Sequence, residues 1–305
     1  MKKNFISLEN YTEEDIARLI ELTAQLKERK VHESGRLTGK VVGLVFQKPS
    51  NRTRVSFQVG VWQLGGNCMY LAPDEISLGV RESIHDVAKT LSRYLNCIVA
   101  RTFTHKDILE LAKHATIPVI NGLSDLHHPC QALTDLFSIK EKLGDLKGLT
   151  LAYVGDGNNV CNSLLVGAAK TGLHMKVATP KGYEPNSKVV NLAKSIAKAT
   201  GSKIVLTRSP QDAVKDANVI YADTWVSMGQ EEETKKRLKD FEQFQVNSDL
   251  VKRAKKDYIF MHCLPAHRGQ EVTADVIDGK HSIIFDQAEN RLHTQKAILI
   301  SLLGS

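Results

Sequence analysis

The run SNRTR at positions 50–54 carries residue types that bind an anion, at a point where a helix is predicted to begin. It follows Val41–Phe46, a short apolar block typical of a buried strand. Ser50 is a natural N-cap, and Arg52 and Arg54 lie in or beside the first turn. Cations oppose the helix dipole there unless an anion is bound, and backbone N–H groups, hydroxyls and guanidiniums together would bind a phosphate. The alternative is a capped surface helix with solvated arginines.

Further polar side chains follow other predicted strands or begin predicted helices. They are Arg101, HPCQ at 128–131, Asn162, DTWVSMG at 223–229 and HCLP at 262–265. Each of them alone is as often a helix cap or a surface residue as a ligand. However, ligands of open α/β sheets bind beyond the carboxyl ends of the strands, so these segments are expected to converge. His128 and Gln131, three residues apart on a helix, would face the same region.

Two familiar motifs are incomplete in this chain. Gly155-Asp156-Gly157 follows a predicted strand as a dinucleotide fingerprint does, but Val160 occupies the third glycine position, so no nicotinamide cofactor is expected. The pair His262 and Cys263 suggests nucleophilic catalysis. Adjacent residues of a strand point to opposite faces, so the two cannot form a dyad. Cys263 is therefore interpreted as a polar or steric element of the pocket.

Predicted strands alternate with helix-length segments, which is the signature of parallel α/β sheets. The first series of predicted strands is 41–46, 67–71, 97–101 and 118–121, with helices at 83–94, 105–114 and 129–143. The second series of predicted strands is 149–154, 175–179, 203–206, 219–223, 258–262 and 283–285, followed by a terminal helix from Glu289 to Leu303. The segment 144–148, rich in glycine and charge, breaks the pattern and is the predicted domain boundary.

Composition narrows the class of protein. The 305 residues suffice for two domains, and 42% apolar with 25% charged residues is typical of a soluble globular protein. The net charge of +7 is spread along the chain and interleaved with acids, which favours an anionic small substrate over nucleic acid. The amino-terminal segment lacks a signal core, and no apolar run reaches the length of a membrane span. Five cysteines without a Cys-x-x-Cys pair favour free thiols in the cytoplasm.

Together with Arg291, these motifs resemble, in their order along the chain, the aspartate/ornithine carbamoyltransferase family. The Ser-Met-Gly segment at 227–229 and HCLP at 262–265 are the features of its ornithine branch. One departure is Ser77, where many relatives carry a Gln or His that reaches a neighbouring subunit. The resemblance implies an α/β fold of two domains, each a parallel sheet flanked by helices, with a C-terminal helix returning to the first domain. The implied bounds are 1–144 for carbamoyl phosphate binding, 149–288 for ornithine binding and 289–305 for the returning helix.

The resemblance also assigns the site residues. Carbamoyl phosphate would be bound by Ser50, Asn51, Arg52, Thr53, Arg54, Arg101, His128, Gln131, Cys263, Leu264 and Arg291. Ornithine would be bound by Asn162, Asp223, Ser227, Met228 and Cys263. Catalytic roles would fall to Arg101, His128, Cys263 and Arg291. The neutral δ-amine would attack the carbamoyl carbon without a metal, an organic cofactor or a covalent enzyme intermediate.

Three other functions are alternatives to carbamoyl transfer to ornithine. Aspartate carbamoyltransferase would need cations for a second carboxylate, whereas this chain offers Asp223. A putrescine or acetylornithine carbamoyltransferase should alter the 227–229 segment. A non-catalytic phosphometabolite-binding regulator would lose the amine site, and the presence of Asp223 and Cys263 argues against it. The expected protein is a cytoplasmic homotrimer, or an assembly of trimers, in arginine biosynthesis.

Overall fold

The computed structural model describes residues 3–226 and 231–304. The chain divides into two compact units, and each is built on one sheet of parallel strands. Unit one comprises the residues up to Phe137 and those from Glu289 onward, and unit two comprises Ser138–Ala288. The predicted α/β class is confirmed.

The sheet of unit one has the strand order β2-β1-β3-β4. Its strands are β1 (Val41–Phe46), β2 (Asn67–Leu71), β3 (Cys97–Arg101) and β4 (Val119–Leu123). The central strands β1 and β3 are apolar and buried on both faces, as parallel strands between helical layers must be. Phe46 pairs in register with Arg101, so the chain leaves β1 for the SNRTR run beside the end of β3.

The helices that begin in unit one pack against this sheet or extend from it. They are α1 (Glu13–Lys27), α2 (Asn51–Gln63), α3 (Pro73–Ile76), α4 (Ile84–Tyr94), α5 (His105–His114) and α6 (Pro129–Leu143). A 3₁₀ turn, Leu8–Asn10, precedes α1. Helix α2 ends at Gln63, and Gly65 just beyond it takes a left-handed φ of 80° that other residues adopt only with strain.

The sheet of unit two has the strand order β7-β6-β5-β8-β9. Its strands are β5 (Thr150–Val154), β6 (His174–Ala178), β7 (Ile204–Thr207), β8 (Val219–Ala222) and β9 (Ile259–His262). The carboxyl ends of the three neighbouring strands β5, β8 and β9 therefore lie side by side. Asp156, Asp223 and Cys263 follow these three ends.

The remaining helices are mostly short, apart from three. They are α7 (Asn159–Thr171), α8 (Ser187–Thr200), α9 (Pro210–Val214), α10 (Thr234–Asp240), α11 (Ser248–Val251), α12 (Ala274–Ile277) and α13 (Ile284–Leu303), with 3₁₀ turns at Glu231–Glu233 and Glu242–Phe244. Helix α13 supplies the chain of unit one from Glu289 onward. No helix within the described ranges is both long and apolar enough to cross a membrane.

The strand predicted at 283–285 is wrong. Ser282 makes only an isolated bridge to Phe260, and Ile284 already begins α13. The carbonyl of Ile283 accepts the Gln287 N–H at 2.8 Å, a helical i to i+4 bond. Three apolar residues fit either a strand or the first turn of a buried helix, and here the longer helical pattern that follows decides.

Candidate active site

The SNRTR run forms the amino terminus of α2. Ser50 is extended, with a φ of −157°, and its Oγ accepts the Thr53 N–H at 3.3 Å, which confirms it as the N-cap. The first turn of α2 contains no acidic residue, so nothing in that turn complements the positive end of the helix dipole. Instead it carries Arg52, and Thr53 points inward with 2% exposure.

A buried hydrogen-bond network joins Thr53 to Gln131 through Arg291. The Arg291 guanidinium donates from Nη1 to Gln131 Oε1 at 2.6 Å and from Nη2 to Thr53 Oγ1 at 3.1 Å. Gln131 Nε2 donates in turn to Asp135 Oδ1 at 2.8 Å. Helices α2, α6 and α13 thus present three of the predicted residues in one place. The fixed network leaves Arg291 charged and held in position.

Arg101 ends β3 and is itself nearly buried. Burial, together with the positive charges of Arg291 and Arg52, lowers the pKa of Arg101 to about 10. Its Nε has no hydrogen-bond partner among the residues described. Buried charges are normally compensated by charges of opposite sign, so three guanidiniums acting on one another mark a place that an anion would stabilise.

His128 lies within the field of the same three arginines. It is buried, and burial followed by the charges of Arg291, Arg101 and Arg52 holds its pKa well below the ordinary value. The imidazole is therefore neutral near pH 7. A neutral imidazole can donate one hydrogen bond to a carbonyl or oxyanion without adding a further charge. We call Arg52, Arg101, His128 and Arg291 the cationic cluster.

Unit two holds a second cluster around the buried carboxylate of Asp223. Its Oδ2 accepts from Asn158 Nδ2 at 2.8 Å and lies 3.3 Å from the Tyr153 hydroxyl. Its Oδ1 accepts the Thr224 N–H at 2.8 Å and the Cys263 thiol at 3.0 Å. We call Asp223, Tyr153, Asn158 and Cys263 the carboxylate cluster. Its negative charge can bind the ammonium group of a substrate.

The backbone allows this close arrangement at Gly155. Its φ is 150°, and a Cβ there would lie 3.1 Å from the Asp223 carbonyl oxygen. Any larger residue would push the β5 turn away from Asp223. Asn158 meanwhile caps α7, because its Oδ1 accepts the Val160 N–H at 2.9 Å while its Nδ2 holds Asp223. Asn158 therefore links the helix terminus to the carboxylate.

Two family models match the chain, one after the other. The carbamoyl-P binding domain of aspartate/ornithine carbamoyltransferase matches residues 3–141, and the Asp/Orn binding domain of the same family matches residues 147–302. The chain belongs to the aspartate/ornithine carbamoyltransferase family. The resemblance read from the motifs is confirmed.

Full-length relatives agree with this assignment. The chain is 55% identical to the ornithine carbamoyltransferase of Oceanobacillus iheyensis over 99% of this chain and 94% of the relative. The solved ornithine carbamoyltransferase of Pyrococcus furiosus superimposes with a TM-score of 0.96 at 51% identity, covering 99% of this chain and 97% of that one. The anabolic ornithine carbamoyltransferase of Campylobacter jejuni gives a TM-score of 0.94 at 36% identity, covering 99% of each chain.

Some of the remaining motif positions make contacts that the structure describes, and others lie outside the described residues. Arg54 lies over the Tyr70 ring, with its guanidinium 3.7 Å from the ring centroid, and Asn51 is exposed. Asn162 Oδ1 accepts the Asn186 N–H at 3.0 Å, which holds the start of α8. Ser227 and Met228 lie outside the described residues. Their assignment to the substrates, and that of Ser50 and Leu264, remains a prediction.

In HCLP at 262–265, the Cys263 thiol contacts Asp223, while the ring nitrogens of His262 face Leu264 and Glu271. His262 Nδ1 accepts the Leu264 N–H at 2.9 Å, and its Nε2 lies 3.3 Å from the carboxylate of fully buried Glu271. Leu264 adopts a left-handed φ of 58°, which this contact helps to hold. The thiol thus contacts a carboxylate at hydrogen-bond distance, as expected of a polar pocket element.

Asp223, His262 and Cys263 also offer ligand atoms within 4.8 Å of one another, the spacing that a metal ion would need. Their chemistry would suit zinc. However, His262 Nδ1 already accepts the Leu264 N–H, and Nε2 faces Glu271. Coordination would have to break one of these contacts, so the set fits a metal poorly.

Three residues in or around the carboxylate cluster were not predicted from the sequence. Tyr153 contacts Asp223, Glu271 supports His262, and Arg237 donates to Asp156 Oδ2 at 2.9 Å. Tyr153 occupies an ordinary strand position, Glu271 lies in a loop without a recognisable motif, and Arg237 pairs with a residue 81 positions away. The one available signal was Asp156, an acid placed in a strand-to-helix turn.

Proposed function

We propose that the protein transfers the carbamoyl group of carbamoyl phosphate to the δ-amine of L-ornithine, giving L-citrulline and phosphate. The observation that carries the proposal is the cationic cluster, in which Arg52, Arg101 and Arg291 surround a neutral His128. The positive charges of this cluster would attract and hold a dianionic phosphate. Full-length relatives named ornithine carbamoyltransferase support the choice of acceptor.

The reaction follows from the charges. Arginines of the cationic cluster, with the α2 amino terminus, bind the phosphate and fix the adjoining carbamoyl carbon. Neutral His128 donates to the carbamoyl oxygen, and Arg291, held by Gln131 and Thr53, adds positive charge beside it. The lone pair of the neutral δ-amine forms the new C–N bond. The tetrahedral oxyanion is stabilised by the same donors until the bond to the phosphate oxygen breaks and the nitrogen loses its proton.

The carboxylate cluster accounts for the other substrate. Asp223 binds the α-ammonium of ornithine, and Cys263 lies beside it at 3.0 Å. The proposed division of labour is the one predicted, with carbamoyl phosphate bound by 1–144, ornithine by 149–288 and the helix 289–305 returning to the first domain. Asn162, Ser227, Met228 and the Leu264 carbonyl complete the proposed ornithine side, and Ser50, Asn51, Thr53 and Arg54 the phosphate side.

A colorimetric citrulline assay tests the proposal. The purified protein is given carbamoyl phosphate with ornithine, putrescine, acetylornithine or aspartate in parallel. We expect turnover with ornithine alone, because Asp223 offers a negative charge to an α-ammonium and nothing in the carboxylate cluster offers a cation to a second carboxylate. Faster carbamoylation of aspartate or putrescine would refute the assignment. Binding of carbamoyl phosphate without turnover of any amine would indicate a regulator.

The biological setting is also a proposal. We propose a cytoplasmic homotrimer, or an assembly of trimers, that acts in arginine biosynthesis. The biosynthetic role is supported by the similarity to the anabolic enzyme of Campylobacter jejuni, and the assembly by the family resemblance. Light scattering coupled to gel filtration measures the mass directly. A monomer that makes citrulline at the full rate would refute the trimer.

A further inference from the structure

Arg237, on the short helix α10, reaches three separate segments of unit two. Its Nη1 donates to Asp156 Oδ2 at 2.9 Å and to the Trp225 carbonyl oxygen at 3.0 Å. Its Nε donates to Glu233 Oε2 at 2.9 Å, and its guanidinium lies 4.9 Å from the centroid of the Tyr183 ring. The side chain is 7% exposed. A buried arginine with this many partners fixes their relative positions.

The partners of Arg237 are neighbours of the carboxylate cluster. Trp225 follows Asp223 by two residues, and its ring stacks on Phe241 at the end of α10. The backbone oxygen of Asp156 lies 2.9 Å from the Tyr153 hydroxyl, the same hydroxyl that faces Asp223. Arg237 therefore holds two of the three segments that carry the cluster, the turn after β5 and the segment after β8.

Arg237 also changes the balance of charge around Asp223. Asp156 and Asp223 are two buried carboxylates near enough for Asp223 to act on Asp156, and Arg237 pairs with Asp156 and with the more exposed Glu233. The buried negative charge of Asp223 is then left for a cationic substrate. Without Arg237, Asp156 would become a buried unpaired carboxylate beside Asp223, which is costly and would compete for the same ammonium.

We propose that Arg237, paired with Asp156, is a positioning residue for the amine substrate, which holds the Asp223–Trp225 segment and leaves Asp223 as the one carboxylate available to an ammonium. The proposal rests on the proposed function. It predicts that loss of the pair weakens the use of ornithine while the use of carbamoyl phosphate is preserved, because the cationic cluster belongs to unit one.

The test compares steady-state kinetics of Arg237→Gln, Arg237→Lys and Asp156→Asn with wild type. We expect Arg237→Gln to raise the KM for ornithine on the order of 10- to 100-fold, the effect of a misplaced binding group, and to leave the KM for carbamoyl phosphate within about twofold. Arg237→Lys keeps the charge opposite Asp156 but cannot reach three segments at once, so it should restore part of the loss. Arg268→Gln is the matched control, since Arg268 pairs with exposed Asp278 in the same unit.

A pH profile separates positioning from general stabilisation. Burial, with the charge of Asp223 adding to it and Arg237 opposing it, raises the pKa of Asp156 to about 6. The groups that face it are Arg237, Asp223, Tyr153 and Cys161. The wild-type to Asp156→Asn ratio of kcat/KM for ornithine cancels the ionisation of the substrate. We expect that ratio to be about tenfold near pH 8 and to approach one near pH 5, where Asp156 is protonated.

The results of these experiments distinguish a failure of the positioning role from a failure of the proposed function. A lower melting temperature in Arg237→Gln with unchanged KM for ornithine, or equal increases in both KM values, would overturn the positioning role and leave the proposed function intact. Wild-type protein that forms no citrulline would overturn both. If Arg237→Gln does not fold, Arg237→Lys and Asp156→Asn decide, and a flat pH ratio then counts against the proposal.

Discussion

The cationic cluster of unit one and the carboxylate cluster of unit two differ in how their buried charges are balanced. In unit one, arginines act on one another, and the pKa values of Arg101 and His128 are lowered by burial and by like charges. In unit two, Asp156 is paired with Arg237, and Asp223 receives hydrogen bonds from Asn158 and Thr224. The cationic cluster brings together like charges that an anionic ligand would stabilise, whereas Asp223 of the carboxylate cluster is held by hydrogen bonds from the protein itself.

This difference distinguishes groups that contribute mainly to ligand binding from groups that also stabilise the fold. A group that repels its neighbours destabilises the free protein and is stabilised by ligand, so its removal should cost activity rather than stability. A group that is hydrogen-bonded on several sides contributes to both. The predictions that follow separate the two cases, beginning with the largest expected effect.

Arg101→Met should break the cationic cluster. We expect kcat/KM for carbamoyl phosphate to fall on the order of 10²–10³, the cost of removing a preorganised charge. The melting temperature of the ligand-free protein should stay equal or rise, because the repulsion of Arg101 by Arg52 and Arg291 disappears. Kinetics and calorimetry measure both quantities, with Arg18→Ala, an exposed arginine of α1, as control. Near-normal activity with a lower melting temperature would show that Arg101 is structural.

Asp223→Asn should break the carboxylate cluster. It removes the charge that is proposed to pair with the α-ammonium, an interaction worth about 1.5–3 kcal/mol, so the KM for ornithine should rise about 10- to 100-fold. The KM for carbamoyl phosphate should stay near wild type, and the protein should melt lower, since the Cys263 and Asn158 contacts weaken. Asp249→Asn, from an exposed pair with Lys252, is the control. An equal loss for both substrates would contradict the separation of the two clusters.

Cys263→Ser should have a smaller effect. A serine hydroxyl can still donate to Asp223 Oδ1, so we expect turnover to slow by about tenfold or less at saturating carbamoyl phosphate. The proposed reaction has no covalent enzyme intermediate. A completely inactive variant, together with a carbamoylated thiol trapped on the wild type by mass spectrometry, would instead make Cys263 a nucleophile.

Much of the cationic cluster and its immediate surroundings could be predicted from the sequence because the signals are local. Ser50 follows a strand and precedes a helix, and Arg101 ends another strand, so a few neighbouring residues suffice to predict the position of each. The same holds for His128 and Gln131, which share one helical face. The electrostatic state of these residues could not be predicted, since the lowered pKa of His128 depends on its burial and on three arginines from different parts of the chain.

The surroundings of the carboxylate cluster were harder to predict because they depend on distant pairs. Arg237 and Asp156 are 81 residues apart, and nothing near Arg237 distinguishes it from the other cations of that segment. The N-terminal helix α1 was not predicted either, although Thr12 and Asp15 form a capping box, which is a sequence signature of a helix start. The strand expected at 283–285 failed for the reverse reason, because three apolar residues carry no period of their own.

A difference in acid stability should follow from the same contrast. The lowered pKa of His128 means that the folded state binds fewer protons than the unfolded state, so its contribution to the free energy of unfolding is lost as the pH falls below about 6.5. Asp156 has the opposite sign. Its raised pKa of about 6 makes its contribution greatest at low pH, and that contribution is lost as the pH rises from about 4 to 6.

Urea unfolding of wild type, His128→Asn and Asp156→Asn across this pH range measures the two contributions. As the pH falls from about 6 to 4, the free energy of unfolding of wild type relative to His128→Asn should decrease, and relative to Asp156→Asn it should increase. Each slope is bounded by about 1.4 kcal/mol per pH unit, the value for one proton. Slopes of the same sign would show that the two buried groups do not differ as their surroundings indicate. Opposite slopes would mean that the repulsion around His128 and the burial of Asp156 persist in solution without any ligand.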